Sequence, residues 1–239
     1  MKIMYCFLFL WFLMACSNED SSSSAQESDL FESIKNQNTP RKTGYLLDST
    51  AFYVDSIIRK YIQETLNTGD DENFTYNIHK AALNPDNAID AIISVNRLAY
   101  AKQTAIESGH VVQAKKLAYM GPFNAFIFYD GQSNSFSIPV PVPSSPLLPL
   151  DISFANISSN QHKDLIVDFR IRNSSYKEIY FLFNNKPSKV FQWKNFDGLG
   201  KPNSEAYSFA FKPGNGPVRD IFVYNAQIKV PKGEIDPFT

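Results

Sequence analysis

The sequence predicts an α+β protein in which N-terminal helices pack on an antiparallel β-sheet of about eight strands, arranged as a sandwich or a partial barrel. Apolar residues recur at helical spacing up to about residue 110, and short segments bounded by turn residues follow from Val111. The helices precede the strands and do not alternate with them, which is typical of the α+β class. The 20 Phe and 12 Tyr residues suit strands and a sizeable core.

Two helices are predicted before residue 110. Ser49 is placed to cap the first helix, whose apolar face consists of Val54, Ile57, Ile58, Tyr61, Ile62 and Leu66. The acidic stretch 67–73 ends this helix and is predicted to be a solvated loop. Asn84 is a cap candidate for the second helix and Pro85 fits its first position. An apolar face runs from Ala88 to Ile106, and Gly109 is suited to end the helix.

The strands are predicted from alternation and turn signals. An apolar run over 123–129 ends in the turn dipeptide Asp130-Gly131, and 136–142 is expected to pair back as a hairpin. The prolines between 139 and 149 favour an edge strand or an extended connection. The clearest strand is 165–172, in which alternate residues are apolar. Further strands are predicted at 176–183, 189–194, 205–212 and 220–230.

The first residues have the character of a targeting segment. Lys2 is followed by an apolar run from Ile3 to Ala15, which is shorter than the roughly 20 residues that span a bilayer. The residues behind this run are polar and include four consecutive serines. We therefore predict a signal peptide at 1–15, a flexible tether at 16–47 and a single α+β domain at 48–239, helical over 48–110 and β over 111–239.

The end of the apolar run carries a known motif. Leu13-Met14-Ala15-Cys16 resembles the lipobox of bacterial lipoproteins. The resemblance implies that Cys16 becomes the new N-terminus and carries diacylglycerol and an N-acyl chain, and that these anchor the protein in the outer membrane. Two or more acyl chains hold a protein stably where one does not. Ser17-Asn18-Glu19-Asp20 is similar to the export signal of Bacteroidetes-type surface lipoproteins, so the expected location is periplasmic or surface-facing.

Cysteine content and charge exclude several function classes. Cys6 lies in the predicted signal peptide and Cys16 is taken by lipid, so the processed chain has no thiol for a disulfide, a metal site or a nucleophile. The formal net charge of the chain is −1, which gives no electrostatic support for nucleic-acid binding. No cofactor is expected besides the covalent lipid.

One stretch resembles a calcium-binding pattern. Residues 156–166 follow the form of FG-GAP and integrin-like repeats, in which a calcium loop precedes a Leu-Ile strand. Asn156, Ser158, Asn160 and Gln161 replace the acids and glycine of that pattern, and Asp164 alone keeps its charge. Because calcium needs several carboxylate oxygens, no metal is expected. Asp164, Asn156 and Asn160 are the candidate ligands if one binds.

The remaining candidate site is a polar strand face. Asp168, Arg170 and Arg172 alternate along one strand, and Tyr180 lies on the next, so these four residues are candidates for a ligand surface. The sequence contains none of the G-x-S-x-G, H-E-x-x-H, P-loop or dinucleotide motifs. It therefore favours a non-enzymatic binding or envelope-assembly lipoprotein with a protein or glycan partner. The alternatives are a hydrolase acting on an envelope or extracellular polymer and a calcium-stabilised adhesion-like module.

Overall fold

The computed structural model describes residues 42–43, 51–69, 71–86, 88–115, 119–198, 201, 203–216 and 218–227. The predicted signal peptide, Cys16 and most of the predicted tether lie outside these residues, as does the cap candidate Ser49. All described residues belong to one compact unit, Arg41–Thr239. Among the residues that the structure describes, no helix is both long enough and apolar enough to cross a membrane.

The described residues form twelve strands and three short or medium helices. The helices are α1 (Ala51–Leu66), α2 (Leu98–Glu107) and α3 (Val111–Ala114). The strands are β1 (Lys42–Thr43), β2 (Thr75–Ala81), β3 (Ala88–Asn96), β4 (Gly121–Asp130), β5 (Ser135–Phe136), β6 (Val140–Ser144), β7 (Asp151–Ala155), β8 (Asp164–Ile171), β9 (Ser174–Phe183), β10 (Lys186–Asp197), β11 (Glu205–Pro213) and β12 (Arg219–Asn225). The chain is therefore mostly antiparallel β-sheet.

The first sheet is built around β3 and β4. These central strands are antiparallel; β3 also pairs with β1 in parallel and with β2, whereas β4 also pairs with β5 and β6. Helix α1 covers one face of this sheet with Val54, Ile58 and Ile62, which recur every four residues. They pack against Ile93 and Ile127 of the central strands.

The second sheet is an antiparallel meander in the order β12-β11-β10-β9-β8-β7. Its inner face packs on the first sheet: Val167 and Phe169 of β8 share a core with Ile92 and Phe126. Strand β11 pairs with β10 only at Phe196–Ala206 and Asp197–Glu205. The β11–β12 hairpin then diverges from β10.

The diverging hairpin covers part of the outer face of the second sheet, which is turned away from the first sheet. Phe211 and Ile221 of the hairpin pack with Ile166 and Ile179 of β8 and β9 in a separate, smaller core. At its far end the hairpin reaches the β7–β8 loop, where Arg219 N–H donates to the Ile157 carbonyl at 2.8 Å. The second sheet thus curls back toward its own first strands.

The predicted division into a helical part and a β part is wrong. Residues 75–81 and 88–96, expected in the helical part, are strands of the first sheet, and the predicted second helix is helical only over 98–107. The misleading segment is β3, which is buried on both faces. Ile92 faces the second sheet, whereas Ile93 faces α1. A strand buried on both faces shows no alternation, and a run of that kind is easily taken for a buried helix.

Other predictions are confirmed. Helix α1 forms as expected, and Gly109, at φ +75°, ends α2. The N–H groups of Gly109 and His110 donate to the carbonyls of Ile106 and Ala105, which is the Schellman arrangement. The proline-containing β6 lies at an edge of the first sheet.

The predicted tether reaches residue 47, yet its residues 42–43 form β1 and pair with β3.

Candidate functional site

The predicted ligand surface is split between two faces of the second sheet. Asp168 and Arg170 lie on the outer face, because Val167, Phe169 and Ile171, which alternate with them along β8, face the inter-sheet core. Arg172 follows β8 at the turn, exposed and with φ +54°. Tyr180 lies instead in the inter-sheet core, where its hydroxyl donates to Glu178 Oε2 at 2.5 Å. Burial and this carboxylate raise the pKa of Tyr180, so it serves the core and not a surface.

Strand pairing places four residues in a row across the outer face. Asp151 of β7 is opposite Asp168 of β8, which is opposite Lys177 of β9, which is opposite Trp193 of β10. We call these four residues the cross-strand row. Because neighbouring strands lie about 4.8 Å apart, the row extends over about 14 Å. It brings two carboxylates, an ammonium and an indole ring to one line.

Hydrogen bonds hold the centre of this row in place. Lys177 Nζ donates to Asp168 Oδ2 at 2.5 Å, and Asn195 Nδ2 donates to Asp168 Oδ1 at 3.0 Å. Ser175 Oγ in turn donates to Asn195 Oδ1 at 2.6 Å. Burial raises the pKa of Asp168, and the hydrogen bond from Lys177 acts in the opposite direction. The register of β10 shifts at Asn195, a bulge that turns this side chain toward Asp168.

Aromatic rings continue the row onto the hairpin. Trp193, 41% exposed, meets Tyr207 of β11 edge to face with 6.0 Å between ring centres, and Phe191 meets Phe209 in the same way at 6.2 Å. The Lys177 ammonium lies 5.6 Å from the centre of the Phe209 ring. The rings therefore bridge the gap where β10 and β11 separate. The aromatic–polar surface consists of the cross-strand row together with Asn195, Phe191, Tyr207 and Phe209.

The calcium-like stretch uses its polar groups to close the β7–β8 loop. Asp164 Oδ2 accepts from the N–H groups of Ile157 and Ser158, at 2.9 and 2.6 Å, and its Oδ1 accepts from Ser158 Oγ at 2.7 Å. Asn160 Oδ1 accepts from Arg219 Nη2 at 3.0 Å, and Asn156 Nδ2 donates to the His162 carbonyl at 2.8 Å. Each of the three candidate ligands thus has hydrogen-bond partners of its own.

A carboxylate cluster lies elsewhere, at one end of β3 and β4. One oxygen of each of Asp86, Asp90 and Asp130 lies within 4.8 Å of the others, and among the described residues this is the group that has a metal-compatible spacing. Asp90 is fully buried, and its two oxygens accept from the N–H groups of Leu83 and Gly131 at 3.0 and 3.1 Å. Burial raises the pKa of Asp90 to about 6.

The carboxylate cluster was missed because Asn84-Pro85-Asp86 has the pattern of a helix start. The structure shows instead a tight loop, in which Asp86 Oδ1 accepts from the Ala88 N–H at 2.7 Å. Asp130 also has partners: its Oδ2 accepts from Ser133 Oγ at 2.7 Å and from Asn185 Nδ2, in the β9–β10 turn, at 2.6 Å. These bonds tie the loops together at this end of the first sheet and account for the acids as structural groups.

A shallow depression of about 550 Å³ lies between α1 and β2. Tyr76 donates to Asp55 Oδ1 at 2.6 Å, and Arg59 bonds both oxygens of the same carboxylate. The Tyr76 hydrogen bond and Arg59 hold the pKa of Asp55 below its usual value. Burial and Asp55 raise the pKa of Tyr76 to about 12. Asp55 is thus ionised and Tyr76 protonated at neutral pH, which does not suit an acid–base pair.

Comparison with protein-family models gave no match, and the searches of curated proteins and of solved structures gave none either.

Proposed function

We propose that the chain is a lipid-anchored protein of the bacterial outer membrane whose β domain binds a glycan, without catalysing a reaction, through the aromatic–polar surface. The observation that carries the proposal is the position of the exposed Trp193 ring in one row with the ordered polar groups of Lys177 and Asp168. The lipobox resemblance at Cys16 supports the anchor.

The chemistry of a sugar ring fits this combination of groups. A pyranose has a face of C–H groups that can lie on an aromatic ring, and hydroxyls at its edge that both donate and accept hydrogen bonds. Ligand sites typically combine aromatic walls with a few oriented polar groups. Here Asp168, Lys177 and Asn195 are already held by one another, so binding loses less side-chain entropy than it does when such groups are mobile.

The positions of Asp151 and Asp168 and the hydrogen bonds of Asp168 favour binding over hydrolysis. Glycoside hydrolysis needs two carboxyl groups that flank the scissile bond, one of them a proton donor or a nucleophile. Asp151 and Asp168 instead lie side by side on neighbouring strands of one face. Both oxygens of Asp168 accept hydrogen bonds, one of them from the Lys177 ammonium. This arrangement supports a hydrogen-bonding role for Asp168.

The test is binding of the purified protein to an array of bacterial and host glycans, followed by calorimetric titration of the best oligosaccharide. We expect Trp193→Ala to weaken binding at least tenfold and Asn195→Ala to weaken it severalfold. Tyr100→Ala is the matched control, since this ring is also 41% exposed but lies on α2, and it should leave the affinity unchanged. Equal losses in all three variants, or capture of an envelope protein in place of any glycan, would contradict the proposal.

The anchor is tested separately. Metabolic labelling with palmitate should modify the wild-type chain and not Cys16→Ser. Persistent labelling of the variant would show that Cys16 is not the lipidated residue, whatever the glycan experiments find.

A further inference from the structure

The outer edge of β12 is a feature of the second sheet that the aromatic–polar surface does not include. Strand β12 is the last strand of the second sheet, and no described strand pairs with its outer edge. An edge of this kind presents backbone donors and acceptors to any extended chain. The segment Arg219–Asn225 contains neither proline nor lysine, two residues that often protect such edges.

The hydrogen-bond pattern shows which backbone groups point outward. Ala226 N–H donates to the Ala206 carbonyl, so residues 220, 222 and 224 also direct their backbone groups toward β11. The alternate residues Ile221, Val223 and Asn225 must then direct theirs away from the sheet. Arg219 has the same parity, and its N–H does point outward, to the Ile157 carbonyl at 2.8 Å.

The length of the open edge follows from the same contacts. The β7–β8 loop occupies the position beside Arg219, so the open segment runs from Ile221 to Asn225. Two side chains of this segment, Phe222 and Tyr224, are 40% and 41% exposed and stack with 6.2 Å between ring centres on the hairpin face opposite to Phe209. Lys212 Nζ lies 5.0 and 5.3 Å from these two ring centres.

We propose that this edge pairs with the same edge of a second copy of the chain, antiparallel and centred on Val223. This register matches outward residues with outward residues, Ile221 with Asn225 and Val223 with itself, and forms about six backbone hydrogen bonds. It places Phe222 opposite Tyr224 of the second copy, an aromatic cross-strand pair. Asp220 falls opposite Ala226, so no like charges meet. The match is isologous, as a two-fold dimer requires.

Disulfide trapping between two cysteine variants tests both the pairing and its register. In a pair without backbone hydrogen bonds the Cα atoms are about 4.5 Å apart, within the range that a disulfide spans. Phe222→Cys mixed with Tyr224→Cys, as purified full chains in detergent, should therefore cross-link under mild oxidation. Each variant alone should not, because residues offset by two positions lie about 7–8 Å apart.

Two controls complete the experiment. Phe183→Cys mixed with Tyr224→Cys tests random collision, since Phe183 is 56% exposed and lies on β9. The unmodified chain reports any disulfide through its own cysteines. No cross-link above these controls, or an equal yield from Phe222→Cys alone, would overturn the proposed pairing. Light scattering gives an independent measurement: the wild type should dissociate on dilution, whereas a chain with Phe222→Lys and Tyr224→Lys should be monomeric throughout.

Discussion

The ion pair between Glu72 and Arg97 gives the sharpest prediction for stability. Arg97 Nε and Nη2 donate to the two carboxylate oxygens of Glu72 at 2.5 and 2.6 Å, and the two side chains are only 10% and 9% exposed. The Arg97 guanidinium also lies 4.1 Å from the centre of the Tyr100 ring. Glu72→Ala leaves the guanidinium buried without its counter-charge. Removing one partner of a buried pair costs about 3–5 kcal/mol, and we expect the melting temperature to fall by about 10 °C.

Urea unfolding of three variants provides the measurement. Glu64→Ala is the matched control, because Glu64 forms an exposed pair with Lys60 at 3.8 Å and such pairs contribute about 0.3–0.5 kcal/mol. The double variant Glu72→Leu with Arg97→Met removes both charges, and it should be more stable than Glu72→Ala alone. A loss in Glu72→Ala no larger than that in Glu64→Ala would refute the reasoning, since the pair would then behave as a solvated one.

Two further predictions concern the end of the first sheet near β5. The folded-state pKa of Asp90 is about 6, above the ordinary 3.8. Between about pH 4 and 6 the folded protein therefore holds a proton that the unfolded chain releases. The stability that this proton contributes is present at low pH and is lost as the pH rises through 6. The unfolding free energy of the wild type minus that of Asp90→Asn should thus become more positive as the pH falls from 7 to 4. A difference that does not change with pH would contradict this prediction. Gly131→Ala should lower the unfolding free energy by about 2 kcal/mol or more, because the new Cβ would lie 2.0 Å from the Ile89 carbonyl oxygen. Gly69→Ala, where a Cβ meets open space, should change the unfolding free energy by less than about 0.5 kcal/mol. Equal effects of the two variants would show that the loop at Gly131 shifts to accommodate the Cβ.

The acidic stretch 67–73 shows how far sequence patterns reach. Its composition predicts a solvated loop. The described residues of the segment, 67–69 and 71–73, are indeed outside helices and strands, but Glu72 is buried against Arg97. The residues near Glu72 in the sequence do not indicate this ion pair, because the partner, Arg97, lies 25 residues away. Local composition indicates whether a segment is regular, whereas the burial of one side chain depends on what packs beside it.

The aromatic–polar surface shows the same limit. Asp168 was a candidate from alternation along β8, and a strand around Trp193 was also predicted. Their alignment with Lys177 depends on the registers of three strand pairs, and a slip of one residue would send these side chains to the other face. The sequence does not identify Asn195 as a site residue, since this side chain reaches Asp168 through a bulge in β10. Tyr180 was assigned to a surface because a sequence does not show which face of a strand meets another sheet.

The sequence by itself determined the periodic features of this protein. The apolar spacing of α1, the alternation of β8 and the glycine that ends α2 have local causes, because helical periodicity, the strand pleat and positive φ are properties of neighbouring residues. The tertiary structure alone decided what covers each face. It made β3 a strand by burying it between α1 and the second sheet, and it joined distant strands into the cross-strand row. Burial and register are relations between segments far apart in the chain, so only the packed structure fixes them.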